Sequence, residues 1–268
     1  MSDDFNSRIL HEVAHRPWPM PRAPWIMRQT WHDLLFAHWA VDPARLAGLI
    51  PPSLELDLFD RRAWLGVVPF RMTNVAPRGL PALPWLSSFP ELNVRTYVRL
   101  AGKPGVYFFT LDAGNRLAVR MARALFRLPY HWASMHVEPR GDAIHYVSQR
   151  HRDPAARLVA TYSPVGPAFH AREGSLEYFL TERYCLYTID AKGDTFTVEI
   201  HHPPWSLQPA AAEIFVNTMA DVIGLELGPS ADAVARAPIL HFAKRQDMVS
   251  WWLARTRAAP RSGGVRSI

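Results

Sequence analysis

Apolar and polar residues alternate strictly over residues 93–100. Val94, Thr96 and Val98 fall on one side, and Asn93, Arg95, Tyr97 and Arg99 on the other. A period of two marks a strand, whose successive side chains point to opposite faces. Comparable short runs recur along the chain. Residues 31–39 are apolar and aromatic, suited to a buried strand. Residues 54–59 alternate, and residues 63–72 are strand-like with an edge or bulge at Pro69, which has no N–H for a ladder. Further strands are expected at 105–111, 131–138, 143–149, 157–163, 182–187, 195–201 and 239–242.

Helical spacing is rarer. Over residues 117–126, Ala118, Met121, Ala122 and Leu125 share one face. Asp42-Pro43 opens a short helix, with Asp42 as cap and Pro43 suited to the first turn, and Pro51-Pro52 bounds it. Residues 175–180 predict a short helix and residues 209–223 a longer one. Four prolines (Pro77, Pro81, Pro84 and Pro90) make residues 74–90 a long ordered loop of the kind that lines sites. Residues 1–24 read as an N-terminal extension: 7–15 suit a short helix, and Pro17, Pro19, Pro21 and Pro24 forbid its continuation. About ten strands with few helices is not an alternating βαβ pattern. It predicts an α+β fold, mainly a strongly curved antiparallel sheet or barrel with a few peripheral helices. One domain is expected at 25–255, with a flexible tail at 256–268.

Composition narrows the picture. Hydrophobic residues are 49% and charged residues 20% of 268, enough to bury a large core. The net charge is +6, carried almost wholly by arginine, since Lys103, Lys192 and Lys244 are the only lysines. The arginines are scattered and form no stripe, so nucleic acid is not an expected partner. No apolar run is long enough to span a bilayer, and Met1 to Glu12 lacks the apolar core of a secretory leader. Cys185 is the only cysteine, which excludes an internal disulfide and fits a cytoplasmic location.

Glu91, Asn93, Arg95 and Tyr97 stand at i, i+2, i+4 and i+6. Facing inward, this acid, amide, guanidinium and phenol make a polar pocket wall; facing outward, they are a solvated surface, and Leu92, Val94, Thr96 and Val98 are then the core side. A second cluster sets Glu182 and Tyr184 on one face and Arg183 and Cys185 on the other. Its structural reading is an ion pair, Glu182 with Arg95, and an inert core thiol at Cys185. His11-Glu12-Val13-Ala14-His15 matches the H-E-x-x-H zinc pattern formally, but Pro17 ends any helix two residues later, so no metal site is expected. His201 and His202 are adjacent and face opposite ways on a strand. C-x-x-C, G-x-G-x-x-G, P-loop and G-x-S-x-G motifs do not occur, and no cofactor is expected.

The segment from Asp42-Pro43 through Pro51-Pro52-Ser53-Leu54-Glu55-Leu56-Asp57 resembles the entry of acetoacetate decarboxylases. Glu91 stands where those enzymes carry an active-site glutamate, and residues 115–130 are similar to the helix that leads to their Pro-Lys-Lys segment. The strings WHDLLFAHW, ELNVRTYV, LPYHWASM and LTERYCLY resemble the DUF2071 (YqjF-like) branch of the acetoacetate-decarboxylase-like superfamily. The resemblance implies a pocket with Tyr130 in place of the Schiff-base lysine, and Tyr130 and His131 cannot form an imine. A second acidic position of the decarboxylase site falls in the apolar run 63–68. The Schiff-base position together with the polar strand rows gives Tyr130, Glu91 and Arg95 as the expected chemical groups, with Asn93, Tyr97, His131, Glu182 and Tyr184 as expected ligand-binding residues. The expected ligand is a small oxo acid or polyketide-like molecule. The alternative is lysine-independent lyase, hydratase or cyclase chemistry through Tyr130, Glu91 and Arg95. A homo-oligomer is compatible with the same resemblance.

Overall fold

Thirteen strands pair into one sheet among residues 9–227 and 237–256, which the computed structural model describes. In chain order the elements are β1 (Met27–Val41), α1 (Pro43–Ala47), β2 (Glu55–Leu56), β3 (Ala63–Pro77), α2 (Pro84–Ser87), β4 (Phe89–Leu100), β5 (Lys103–Ala113) and α3 (Arg116–Phe126). They continue with β6 (Tyr130–Arg140), β7 (Ala143–Arg150), β8 (Arg157–Pro164), α4 (Leu176–Thr181), β9 (Cys185–Ile189), β10 (Thr195–His201), β11 (Leu207–Asn217), β12 (Ile239–Ser250) and β13 (Ala254–Arg255). The strand order is β13-β10-β9-β5-β6-β7-β8-β11-β12-β1-β3-β4-β2. Two further pairings, β5 with β4 and β10 with β12, close the sheet partly into a ring. Pairing is antiparallel throughout, except that β5 runs parallel to both β6 and β9.

Following those pairings, seven strands (β12, β1, β3, β4, β5, β9 and β10) enclose one space. Of these, β1, β3, β4 and β12 are covered on both faces. Their outer face, with Leu35, Leu65, Leu92, Val94 and Phe242, packs on Tyr146, Leu158 and Tyr162 of β7 and β8. Their inner face, with Leu34, Phe36, Val68 and Phe70, packs on Trp205 and Leu207. This resolves the two readings of the alternating strand, because neither side of β4 is a solvated surface.

Two bulges set which residues point inward. Pairing of β1 with β3 shifts register between Arg28 and Thr30, where β3 carries an extra residue, and between His32 and Ala37, where β1 does. Asn74 and Asp33 lie in these intervals, with φ of 56° and 52°. Short polar side chains tolerate this left-handed region best. An extra residue flips the facing parity, so Trp31 and Leu34, and likewise Met72 and Val75, all line the enclosed space. Asp33 is fixed there by Arg71 at 2.9 Å and Lys244 at 2.7 Å, and its carbonyl accepts from the Tyr162 hydroxyl.

The helix expected over 209–223 is instead β11, followed by a 3₁₀ turn at Asp221–Ile223. Ala210, Ala212 and Ile214 alternate at a period of two and pack on the main core, so pairing with β8 overrides the helical propensity of an alanine run. The strand expected at 182–187 begins only at Cys185, because Glu182 still caps α4. Over 54–59 only Glu55 and Leu56 join a ladder. The expected loop at 74–90 is partly ordered as the end of β3 and as α2. Asp42 caps α1 as expected, accepting from the Ala44 N–H.

Ile9, Leu10 and His11 are helical, and the helix stops there, so the His11–His15 pattern does not lie on one helix. His15 Nε2 meets the His202 carbonyl at 2.8 Å, and Arg16 is buried against β10. Among the described residues no acid, histidine and cysteine cluster could hold a metal, and no helix is long and apolar enough to cross a membrane. Of the expected C-terminal tail, 257–268 lies outside the described residues; Thr256 still donates its N–H to Thr195.

Candidate functional site

The seven-stranded ring encloses a cavity of about 240 Å³. Most of its wall is apolar. β1 contributes Leu34 and Phe36, β3 Val68 and Phe70, and the α3 face of Ala118, Met121, Ala122 and Leu125 borders one end. That is the face grouped by its spacing in the sequence. The helix is oriented by Asn115, which caps it by accepting from Leu117 and Ala118, and by Arg123, which donates to the Tyr130 carbonyl at 2.6 Å.

Against this apolar background β4 presents Glu91, Asn93 and Arg95. They share parity, so one strand delivers all three. The Tyr130 hydroxyl at the start of β6 donates to Glu91 Oε2 at 2.8 Å. Tyr146 donates to the Glu91 carbonyl at 2.7 Å from the other side of the sheet, which pins the backbone. Burial pushes the Glu91 carboxyl up to about 8, with Asp112 adding repulsion and the Tyr130 hydrogen bond opposing both. At neutral pH Glu91 is therefore mainly protonated. Tyr130 is pushed well above the ordinary phenol range by the same burial and by Glu91.

Arg95 is the cation of this wall. Its Nη2 donates to Tyr97 Oη and to the Leu180 carbonyl, both at 3.3 Å, and its guanidinium lies 5.3 Å from the Phe36 ring centre. Among the described residues no carboxylate pairs with it, and its Nε has no hydrogen-bond partner. Tyr97 gives its single proton to Leu180 O at 2.7 Å, so His38 donates to it from Nε2 at 2.6 Å. Burial, and then Arg95, hold His38 well below its ordinary range, which keeps it neutral. Gly66 makes room for both: a Cβ there would stand 3.1 Å from the His38 ring and 3.3 Å from Arg95 Cγ.

Four buried polar atoms without partners belong to residues that line this one cavity: Asn93 Oδ1, Arg95 Nε, Arg183 Nη2 and Trp205 Nε1. Buried polar groups are ordinarily paired, so such a concentration marks a place where a ligand or water completes the bonding. Arg183 is neutralised on its other nitrogen by Asp57 at 2.6 Å, and Asp57 also accepts from Arg99. No lysine is among the described residues lining the cavity; Lys103 pairs with Glu199 and Lys244 with Asp33.

Of the expected residues, Glu91, Asn93, Arg95 and Tyr130 therefore come together. The other four do not line the cavity. Tyr97 lies behind Arg95 and holds it. His131 follows Tyr130 on a strand and faces away, toward Arg150, Arg123 and Asp153, where burial brings it down to about 4. Glu182 accepts from the Trp205 N–H at 2.9 Å and from the Tyr184 hydroxyl, and Tyr184 stacks on His202 at 4.7 Å. These two fix the turn that carries His202 and Trp205, both of which line the cavity. The expected Glu182–Arg95 pair does not form. In that segment it is Arg183 and Cys185 that line the cavity. Burial pushes the Cys185 thiol up to about 11, as suits an inert thiol. Arg183 and His202 stand in segments noted from the sequence but not expected at the site, and they and Trp205 arrive there through a helix cap and a proline turn.

The architecture is that of the acetoacetate-decarboxylase-like proteins. The chain superposes on acetoacetate decarboxylase from Legionella pneumophila with a TM-score of 0.57 and 13% identity, covering 92% of this chain and 94% of that one. It superposes on the enduracididine biosynthesis enzyme MppR, complexed with the condensation product of pyruvate and imidazole 4-carboxaldehyde, with a TM-score of 0.59 and 10% identity over 87% and 90%. At such identities the likeness is one of fold. At the level of sequence, the DUF2071 model, described as "Uncharacterized conserved protein", matches residues 28–247. The "Uncharacterized protein YqjF" of Bacillus subtilis (strain 168) is 51% identical over 232 residues, 87% of this chain and 93% of that one. The chain belongs to the DUF2071 family.

Proposed function

We propose that the cavity binds a small organic acid, an oxo acid above all, without forming an imine. The observation that carries this reading is Arg95: a guanidinium on an apolar wall, with no carboxylate partner among the described residues and with Glu91, four residues away on the same strand, mainly uncharged. A half-buried cation on an apolar wall without a counter-charge is costly, and a ligand carboxylate supplies that charge together with acceptors for Nε. Asn93 and the Glu91–Tyr130 pair are then free to meet the ligand's carbonyl end. Tyr130 occupies the position that the decarboxylase resemblance gives to lysine, and the solved complexes of MppR with pyruvate and with a pyruvate condensation product are further support for an oxo acid on this fold. The free, buried Cys185 fits a cytoplasmic setting.

Calorimetric titration with 2-oxobutanoate and with butanone, which keeps the carbonyl and lacks the carboxylate, tests this. The acid is expected to bind and the ketone not; equal behaviour contradicts the reading. Borohydride treatment in the presence of acetoacetate is expected to leave every lysine unmodified, and a labelled lysine in the mass spectrum contradicts the imine-free account.

A second reading adds chemistry. Glu91, held near 8 and bonded to Tyr130 at 2.8 Å, keeps an exchangeable proton at neutral pH, as a general acid requires. Lysine-independent lyase, hydratase or cyclase turnover would then depend on Glu91 and Tyr130. In that case Glu91→Gln and Tyr130→Phe lower kcat by at least tenfold while acid binding persists. Binding without turnover in the unaltered protein leaves the binding role alone.

A further inference from the structure

The mouth of the cavity is apolar as well as its walls. Leu117, Met121 and Leu125 stand at i, i+4 and i+8 of α3, so they form one stripe, and each is more than two-fifths exposed. Met121 and Leu125 also line the cavity, so the stripe runs from inside to outside without a break. Across the opening, Leu86 lines the cavity while Leu83 and Trp85 beside it are exposed, Trp85 by 66%. The Asn115 amide donates to the Trp85 carbonyl at 3.0 Å, which ties α2 to the start of α3 and keeps the two apolar borders together. Large exposed apolar side chains in one place mark a contact surface rather than ordinary scatter.

The interior is also larger than the smallest oxo acids need. A cavity of about 150 Å³ with an apolar lining holds benzene, a ligand of six heavy atoms. In proportion, about 240 Å³ admits about ten, and pyruvate has six. Glu91, Asn93, Arg95 and Tyr130 line the cavity together, with Arg183 and His202 as further polar groups, whereas Phe70, Met72 and Phe89 are apolar lining shared with α3 and α2. We infer that the ligand is an amphipathic oxo acid with an extended alkyl or acyl chain, its carboxylate at Arg95 and its chain leaving between α3 and α2 over Met121 and Leu125. This rests on the proposed carboxylate role of Arg95. The occupant of the exposed stripe is thus the ligand's own chain, because the stripe is continuous with the cavity lining.

The test is a calorimetric series of straight-chain 2-oxo acids of increasing length against the full chain, repeated with Met121→Glu and with Leu125→Gln. Affinity is expected to rise roughly fourfold per methylene, the factor for burying one such group. Both variants are expected to flatten this slope, and the slope is compared within each protein so that a general change in affinity does not enter. Melting curves establish that each variant folds, and the milder Leu125→Gln serves if Met121→Glu does not. Short and long acids binding equally overturns the inference while leaving carboxylate binding intact. Failure of all acids to bind instead removes the reading on which it rests. Unchanged slopes in both variants, with self-association or vesicle binding lost, would assign the stripe to another occupant and also overturn it.

Discussion

Glu91 is held near 8 in the folded protein against 4.5 for the free side chain. Folding thus favours its neutral form, and between those values the folded state keeps a proton that the unfolded chain has released. Stability from this group falls as pH rises from about 4.5 to 8 and is level beyond both limits. His131 and His201, both brought down to about 4 mainly by burial, act in the opposite sense between 4 and 6.5. The difference between Glu91→Gln and the unaltered protein isolates the carboxyl. In chemical unfolding it is expected to grow with pH across that window by about 3 to 5 kcal/mol, and to stay flat outside it. Asp57 makes a sharper case. It neutralises buried Arg183 at 2.6 Å, so Asp57→Asn is expected to cost about 3 to 5 kcal/mol in the same assay. The row Glu91, Asn93 and Arg95 was legible in the sequence because alternation placed it on one face. The direction of that face was not legible, because β4 is buried on both sides and apolar Leu92 and Val94 look equally like a core side. Arg183 was placed correctly opposite Glu182 and Tyr184, yet the wrong pair was taken for the cavity, since polarity alone does not tell a ligand group from one that holds a turn.

Strands were recognised more readily than their irregularities. The bulges at Asp33 and Asn74 decide that Trp31 and Leu34, and Met72 and Val75, share the cavity, and no turn motif marks either position. The irregularity expected at Pro69 falls on the partner strand, opposite the interval that holds Asp33. Asn74 also accepts from Arg28 Nε at 3.0 Å. Asn74→Val combines a β-branched residue at φ 56° with the loss of that bond. It is expected to destabilise by about 1 to 3 kcal/mol, read as a lowered midpoint of chemical unfolding. β11 shows the reverse limit: its alanines suggest a helix locally, but a neighbouring strand and a core face exist only in the assembled sheet.

At the scale of the molecule, a closed run of strands lets a mostly apolar chamber carry Glu91, Asn93 and Arg95 on one strand, with Tyr130 beside Glu91. The general architecture, a strongly curved sheet or barrel, was legible from the many short strands, while the particular pairings that close the ring, such as β10 with β12, were not, since no local pattern encodes them. Arg95 stands on the wall of this chamber with no carboxylate partner among the described residues. Keeping that cation unpaired opposes stability, so Arg95→Gln is expected to leave the melting temperature unchanged or raise it. Its effect on binding bears on the central claim most directly. Calorimetric titration of 2-oxobutanoate into the unaltered protein and into Arg95→Gln is expected to show at least a tenfold weaker affinity in the variant. Equal affinities in two folded proteins would contradict carboxylate recognition by Arg95.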